Sequence, residues 1–600
     1  MKLIDKINEK LGGLVAALSR YPVTVIFLVA AAVVNTMAIE QDADYTRYLL
    51  TCLVGAFLGF TLQAVWERFF DKTSYRLAAM GLGLLLTLGY FLIVRQDTST
   101  SMETWIRTSV ALFALLMAYI WVPAIKSEIS FNQSFMATFK AFFNALLFSG
   151  VLFAGITLII TAIDLLLFRV SENAYLHTLN IVGILFAPIY FLSLIPIYPG
   201  VSDKNRSPEQ LEYNREKLAR SCQCPRFLEV LISYIIIPLL TVYTMILVIY
   251  IARNITGDFW TDNRLEPMLV GFAIAVILIY ILASNLENII AKWYRKIFPK
   301  ILVPIVIFQI VASALRIQDT GITHGRYYVI IFGVFAAISG ILMCFMPVRK
   351  NGIIAALLIG FSVFSIIPPV DAFTISRSNQ VGRLTQTLVG NSMIKDDTVF
   401  PNASISEADK KIISDSVNYL AMMEYTSEIS FLGKDFDLYQ DFYDTFGFYR
   451  YEEGPHRYES IYLNLNPQSP IDISGYQTFV VANFYMQDDK MDPTICSFES
   501  NGKSYTLVRE KTGRIGELVL TETDGQELMR INMQEVFDHF DTSQGGSYQV
   551  SKDYMNADEA MFTVENDKAK ISMIAIFLAI EKSEAETTYN ADFYVLVQIK

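Results

Sequence analysis

Apolar runs of about 20 residues, separated by short polar connections, fill the first 370 positions of this 600-residue chain. Eleven such runs fall near 21–39, 48–65, 77–94, 106–125, 142–168, 177–197, 227–251, 267–286, 299–315, 327–346 and 352–369. Each matches the ~30 Å hydrocarbon core of a bilayer, so the pattern predicts a membrane domain over 21–370. Past Pro369 the pattern changes. Residues 371–403 are polar and rich in Ser and Asn, and read as a linker. Ser406 with Glu407 and Asp409 starts a helix that carries Ile412, Ile413, Val417 and Leu420 at helical spacing to about Met423. An aromatic segment follows (Phe436, Tyr439, Phe442, Tyr443, Phe446). Period-two alternation then predicts strands at 461–465, 476–485, 505–509, 516–521, 528–533, 571–580 and 593–599, with Asp524-Gly525 as a hairpin turn. The expected fold class is a membrane all-α helical bundle followed by a soluble α+β domain, 404–600, with mainly antiparallel sheet.

Charge orients this arrangement. Residues 1–20 place Lys2, Lys6, Lys10 and Arg20 opposite Leu3, Ile4, Ile7, Leu11 and Val15, an amphipathic segment suited to a membrane surface. With that end in the cytoplasm, alternate connections hold 21 and 8 Lys+Arg, and the basic set is the cytoplasmic one. Eleven crossings then put the C-terminal domain outside the cytoplasm. Mean hydropathy of +0.38 with only 18% charged residues fits a polytopic membrane protein. From Asp371 onward, 19 Lys+Arg face 37 Asp+Glu; before it, 29 face 22. The acidic half argues against nucleic-acid binding, which needs positive charge. Membrane lipids are the expected partners, with envelope proteins a further possibility through the outer domain.

Candidate chemistry is sparse. The chain has no phosphate-binding glycine loop and no zinc-protease motif. Its four histidines, His177, His324, His456 and His539, are scattered. Five cysteines give no disulfide framework, and Cys222-Gln223-Cys224 is at most half of a zinc site, so no metal or cofactor is expected. Thr157, Thr161 and Asp164 share one helical face, and a carboxylate in a span is a candidate intramembrane polar site. The competing reading is a helix-end carboxylate paired locally. Pro188 and Pro238 remove backbone donors and are candidate helix kinks. The most unusual connection is Arg316-Ile317-Gln318-Asp319-Thr320-Gly321-Ile322-Thr323-His324-Gly325-Arg326-Tyr327. Arg316 and Arg326 offer planar donor forks for phosphate or carboxylate, with Gly321, Thr323 and Tyr327 completing a candidate anion or headgroup site. Plain anchoring of helix ends is the simpler alternative.

Three stretches carry a resemblance: Ser19-Arg20-Tyr21-Pro22-Val23-Thr24, Tyr234 to Leu240 with Tyr243, and Arg316-Ile317 with Gly321-Ile322-Thr323 and Arg326-Tyr327. Over the membrane half, to about Ile367, the chain resembles a bacterial polytopic membrane family known as domain of unknown function 4153. The resemblance implies an integral protein of the bacterial cytoplasmic (inner) membrane, and it implies no reaction or catalytic residue. Three function classes are therefore carried forward. The first is a transport or cell-envelope assembly component handling an anionic or lipid-linked molecule. The second is a sensor or scaffold whose outer domain binds a ligand or protein. The third is a membrane enzyme acting on a lipid-linked substrate, the least supported because no catalytic carboxylate or histidine cluster stands out.

Overall fold

A computed structural model describes the chain except for residues 1–11, 96–99, 206, 255–264, 434–435, 449, 451–458, 487–492, 512–514, 542–549 and 583–586. The basic amphipathic segment expected at 1–20 lies mostly outside the described residues, as does His456. The chain divides into two compact units, Met1–Arg450 and Tyr451–Lys600.

In the first unit, α1 (Pro22–Gln41), α2 (Thr46–Phe69), α3 (Thr73–Val94), α4 (Met102–Trp121), α5 (Phe131–Leu166) and α6 (Asn173–Leu194) lead to the surface helix α7 (Pro208–Cys222). Helix α8 (226–254), α9 (Leu265–Leu282), α10 (Ile289–Thr320), α11 (His324–Phe345) and α12 (Gly352–Phe364) follow. Ten helices among the described residues are long and apolar enough to cross a membrane. The eleventh expected span is α12, with only 13 helical residues. It nevertheless runs the length of α4: Gly352 abuts Trp121 at one end, and the Ile366 carbonyl accepts from Arg107 Nη1 (3.1 Å) at the other. The helix and the turns after it together cover the distance.

Small residues let the first helices approach. Gly55 and Gly59 of α2 form a small-xxx-small pair, and a Cβ on Gly59 would lie 2.8 Å from the Thr24 backbone nitrogen. Thr24 also donates to the Ala56 carbonyl (3.0 Å). At the same end of the bundle Arg20 forms a bidentate pair with the buried Glu67 (2.9 and 2.7 Å) and donates to the Ile195 carbonyl (3.0 Å). A buried charge that lost its partner here would be costly, so the pair ties the first two helices to the 195–203 connection.

The connections sort to two ends. Arg68 donates to the Ile125 and Pro199 carbonyls, Asn132 to Val348, Lys140 to Arg220 and Gln223, and Asn288 to Glu229. Those bonds gather the basic connections at one end. The opposite end joins Arg107 to Asp371 (2.7 Å) and Tyr327 to the Val370 carbonyl (2.6 Å).

Residues 371–403, expected to be a linker, instead form α13 (Ala372–Gly390) and the short hairpin of β1 (Ile394–Lys395) and β2 (Thr398–Val399). Then come α14 (Glu407–Met422), capped by Ser406 as expected, and α15 (Phe442–Phe446). Phe373, Leu384, Leu388, Leu420, Phe442 and Phe446 share a core with Tyr327 of α11. The expected domain start at 404 is thus corrected: residues 404–450 belong with the membrane helices, because their apolar faces are buried there.

The second unit holds two sheets. The larger has the order β4-β12-β11-β3-β9, with β10 also on β11. Its strands are β3 (Glu459–Leu465), β4 (Thr478–Tyr485), β9 (Val550–Met555), β10 (Met561–Glu565), β11 (Ala569–Lys582) and β12 (Thr587–Ile599). The smaller is a consecutive antiparallel sheet of β5 (Thr494–Ser500), β6 (Lys503–Glu510), β7 (Glu517–Glu522) and β8 (Glu527–Asn532). Every ladder is antiparallel except β3–β9. Gly525 turns β7 into β8 at φ +86°, as the Asp524-Gly525 pair predicts. The two sheets and α16 (Met533–Phe540) close on one core that includes Leu507, Leu520, Phe537, Ile571, Phe593 and Val595.

Replacing Gly59 with Leu is expected to drive α1 and α2 apart and lower the thermal midpoint in nanodiscs by several degrees. Gly81→Leu, whose Cβ meets nothing within 4 Å, should leave it nearly unchanged.

Candidate functional site

The turn between α10 and α11 is where the sequence concentrates donors, and it is a structural junction. Helix α10 ends with carbonyls that have no partner within the helix, a general property of helix C-termini. Helix α13 supplies the donors. Gln380 Nε2 reaches the Thr320 and Ile322 carbonyls (3.0 and 3.3 Å), and Arg383 reaches those of Gln318 and Asp319 (3.0 and 2.6 Å). Asn379 Oδ1 accepts from the Ile322 amide (2.7 Å). Gly321 makes the approach possible. Its φ is +73°, and a Cβ there would stand 2.6 Å from Gln380, 2.7 Å from Arg383 and 2.9 Å from Asn379.

The other turn residues are similarly engaged. Arg326 donates to the Arg316 carbonyl (2.8 Å), and Arg316 is itself buried. Thr323 caps α11 by accepting from the Arg326 amide (3.4 Å). The Tyr419 hydroxyl accepts from the His324 amide (3.1 Å) and donates to Ser376 (2.8 Å). Thus Arg316, Gly321, Thr323, Arg326 and Tyr327 do converge, around backbone carbonyls and packed rings.

A second contact clamps the same end. Asp371 caps α13, accepting from the Phe373 and Thr374 amides (3.0 and 3.1 Å) and pairing with Arg107 (2.7 Å). Arg107 also pairs with Glu103 (2.7 Å), which accepts from the Tyr425 hydroxyl (2.5 Å). Burial alone would raise the Asp371 carboxyl. Hydrogen bonds from Thr374 and Phe373, with the Arg107 charge, outweigh it and hold the group below its usual 3.8. Burial, then the bond to Glu103, pushes the Tyr425 hydroxyl well above the usual tyrosine range.

The candidate intramembrane site is dispersed into local bonds. Thr157 and Thr161 donate back to the Phe153 and Thr157 carbonyls (2.6 and 2.9 Å), and Asp164 accepts from the Val170 amide (2.7 Å), closing the loop after α5. The proline positions fare differently. Each follows a six-residue π turn, Ile181–Phe186 before Pro188 and Leu231–Ile236 before Pro238. The amides of Ala187 and Ile237 reach back five residues, to Val182 and Ile232. A proline has no amide to give, and the widened turn re-pairs the backbone just ahead of it; such turns recur at functional sites.

The feature that sequence reading missed is a cleft of about 1080 Å³ at the basic end of the bundle. One wall is α7, which presents Leu211, Asn214, Arg215, Leu218, Ala219 and Cys222. Their spacing is a helical stripe, the one signal in the sequence that marked this face. The facing wall comes from separate connections: Glu128 and Gln133, Ile197 to Asp203, Glu229, and Asn285 to Glu287. Asn288 joins that wall to the second π turn, donating to Glu229 (3.0 Å) and Ser233 (2.8 Å). Cys222 and Cys224 line the cleft as free thiols, and no cluster suited to a metal ion occurs among the described residues.

Gly321→Val is expected to cost about 1–3 kcal/mol from backbone strain and more from the displaced α13 donors, read as a lower thermal midpoint in nanodiscs. Acid should loosen the same junction. The Asp371 contribution is complete at neutral pH and disappears as the pH falls through the carboxyl's lowered value. An Asp371→Asn variant should be less stable at pH 7 and should lose less than the parent on acidification.

No curated protein and no solved structure matches the chain. One family does, described as Domain of unknown function (DUF4153), over residues 23–399. That interval takes in the ten long helices, the Gly321 turn and α13 down to the β1–β2 hairpin. A multi-pass membrane protein whose C-terminal unit is built mainly of antiparallel sheet, this chain belongs to the DUF4153 family.

Proposed function

We propose that the protein is a membrane transport component that admits its substrate through the cleft under α7. The observation that carries this reading is the contrast between the two ends of the bundle. One end opens into a cleft of about 1080 Å³ whose wall is bonded to Ser233, in the π turn that precedes Pro238. The other is covered by α13 and its hydrogen bonds to the Gly321 turn. Proline-broken helices beside a cavity are a recurrent means of making a site in a membrane protein. An anionic substrate gripped by Arg316 and Arg326 draws no support from their bonds, since Arg326 is spent on a carbonyl and Arg316 is buried.

In this reading the basic connections hold the cleft in the cytoplasm, by the excess of Lys and Arg at that end. The Asp371 end and the sheet unit then lie outside, in the envelope of a bacterial cell. The sensor or scaffold reading draws on a separate feature, the exposed Phe479, Val481 and Tyr485 on β4.

Ser233, fully buried in the π turn, gives the test. A Ser233→Cys protein in sealed vesicles is expected to react with a membrane-impermeant maleimide from both faces, each slowly, as the helices exchange exposure. Reaction from neither face, or from one face only, would remove transport and leave the scaffold. Sidedness is checked separately: a reporter active only in the cytoplasm, fused after Lys600, is expected to stay silent.

A further inference from the structure

We infer that the first turns of α10 bind the headgroup of an anionic phospholipid, with Lys296 and Lys300 on its phosphate and Trp293 beside them. The inference stands apart from the transport reading and uses a different surface. Length comes first. Helix α10 has 32 residues, Ile289–Thr320. At about 1.5 Å per residue it extends about 48 Å, well beyond a hydrocarbon core of ~30 Å. With Thr320 at one boundary of that core, a span of about 20 residues puts the other boundary near Lys300. The turns from Ile289 to Lys300 therefore lie in the headgroup layer and beyond it.

Exposure shows which side of the helix meets lipid. Ile307, Val311 and Leu315 are exposed while Leu302, Val306 and Gln309 are buried, so one side is turned out of the bundle. Helical spacing carries that outer side on through Pro304, Lys300, Lys296, Trp293 and Ile289. All five are exposed, Trp293 by 61% and Ile289 by 74%. The opposite side stays in the core through Tyr294 and Phe298. In a bilayer, acyl chains cover the apolar part of the outer side, and the same lipids bring their headgroups to its basic part.

Charge decides which headgroup. From Asn288 to Lys300 the chain has Lys292, Arg295, Lys296 and Lys300 and no Asp or Glu. Lys292 is engaged by Glu287 (2.8 Å), and Arg295 turns back to the Ala283 and Leu286 carbonyls. Lys296 and Lys300, one turn apart, have no ion-pair partner among the described residues. The neighbouring connection at this end, Met346 to Gly352, adds Arg349 and Lys350 and again no acid. A lipid phosphate supplies the missing anion, and lysines held at a membrane surface are drawn to anionic lipid. A zwitterionic headgroup would bring its own cation against these ammonium groups. Trp293 offers an amphipathic ring suited to the boundary between apolar and polar layers. The phosphate grip that the Arg316–Arg326 turn imitates thus belongs to the other end of the same helix. Asn288, which caps that end by accepting from the Ala291 amide (2.9 Å), also donates to Ser233, so the lipid-bearing helix is the one whose cap holds the second π turn.

The full-length protein in neutral detergent is titrated with phosphatidylglycerol or phosphatidylcholine, and its lipid-bound forms are counted by native mass spectrometry. It is expected to bind its first phosphatidylglycerol about tenfold more tightly than phosphatidylcholine. Lys296→Gln with Lys300→Gln should cut that preference to about twofold. Lys72→Gln with Lys126→Gln removes two exposed charges from the same end and should keep the preference. Each replaced side chain is exposed, so the fold is expected to persist. Inorganic phosphate is the free-anion arm and is expected not to displace the lipid. An unchanged preference in the Lys296, Lys300 variant, an equal loss in the Lys72, Lys126 variant, or displacement by phosphate would overturn the inference. The Ser233 labelling result bears on transport alone.

Discussion

The close approach of α13 to the Gly321 turn holds the first unit together. Two long membrane helices meet there, and their connecting backbone presents carbonyls that no helix can satisfy internally. In a water-poor setting such groups must find donors or incur a cost of several kcal/mol each. The chain answers with Gln380 and Arg383, one turn apart on one helix face, and with a glycine where a side chain would keep them out. Among the described residues, Phe373, Tyr419 and the aromatic cluster around Phe446 share one core with Tyr327 beside that joint.

This joint changes how the polar residues of the membrane half are understood. Arg316, Arg326 and Thr323 look like a ligand grip in the sequence because arginine and glycine in a short loop are the ingredients of one. In the fold Arg326 donates to the Arg316 carbonyl, Thr323 caps α11 and Arg316 is buried. The cleft at the far end has the opposite history. Its carboxylates are spread from Glu128 to Glu287, each unexceptional in its own connection, and only the gathering of those connections makes a lined cavity.

The sequence made the apolar architecture legible and hid the polar joints. Long spans, the Ser406 cap, the Asp524-Gly525 turn and the strands of the sheet core all follow from local periodicity and capping. Helix α13 does not, because Asn379, Gln380 and Arg383 are polar for the sake of inward bonds, and inward polarity imitates a linker. Strands β5, β9 and β10 are not legible in the sequence; in β5 the burial pattern breaks the period of two, with Ile495 and Cys496 both half-buried. Pro188 and Pro238 are plain in the sequence, while the π turns that precede them leave no trace in composition.

The strand order of the larger sheet has a consequence for biosynthesis. Its two central strands, β11 and β12, are made after every other strand of that sheet, and every pairing except β3–β9 depends on one of them. The smaller sheet uses only consecutive strands and can form while synthesis continues. A nascent chain therefore carries β4 unpaired until β12 emerges, with β3 paired only to β9 until β11 emerges, and a stop codon before β11 would delete the centre of the sheet rather than its margin.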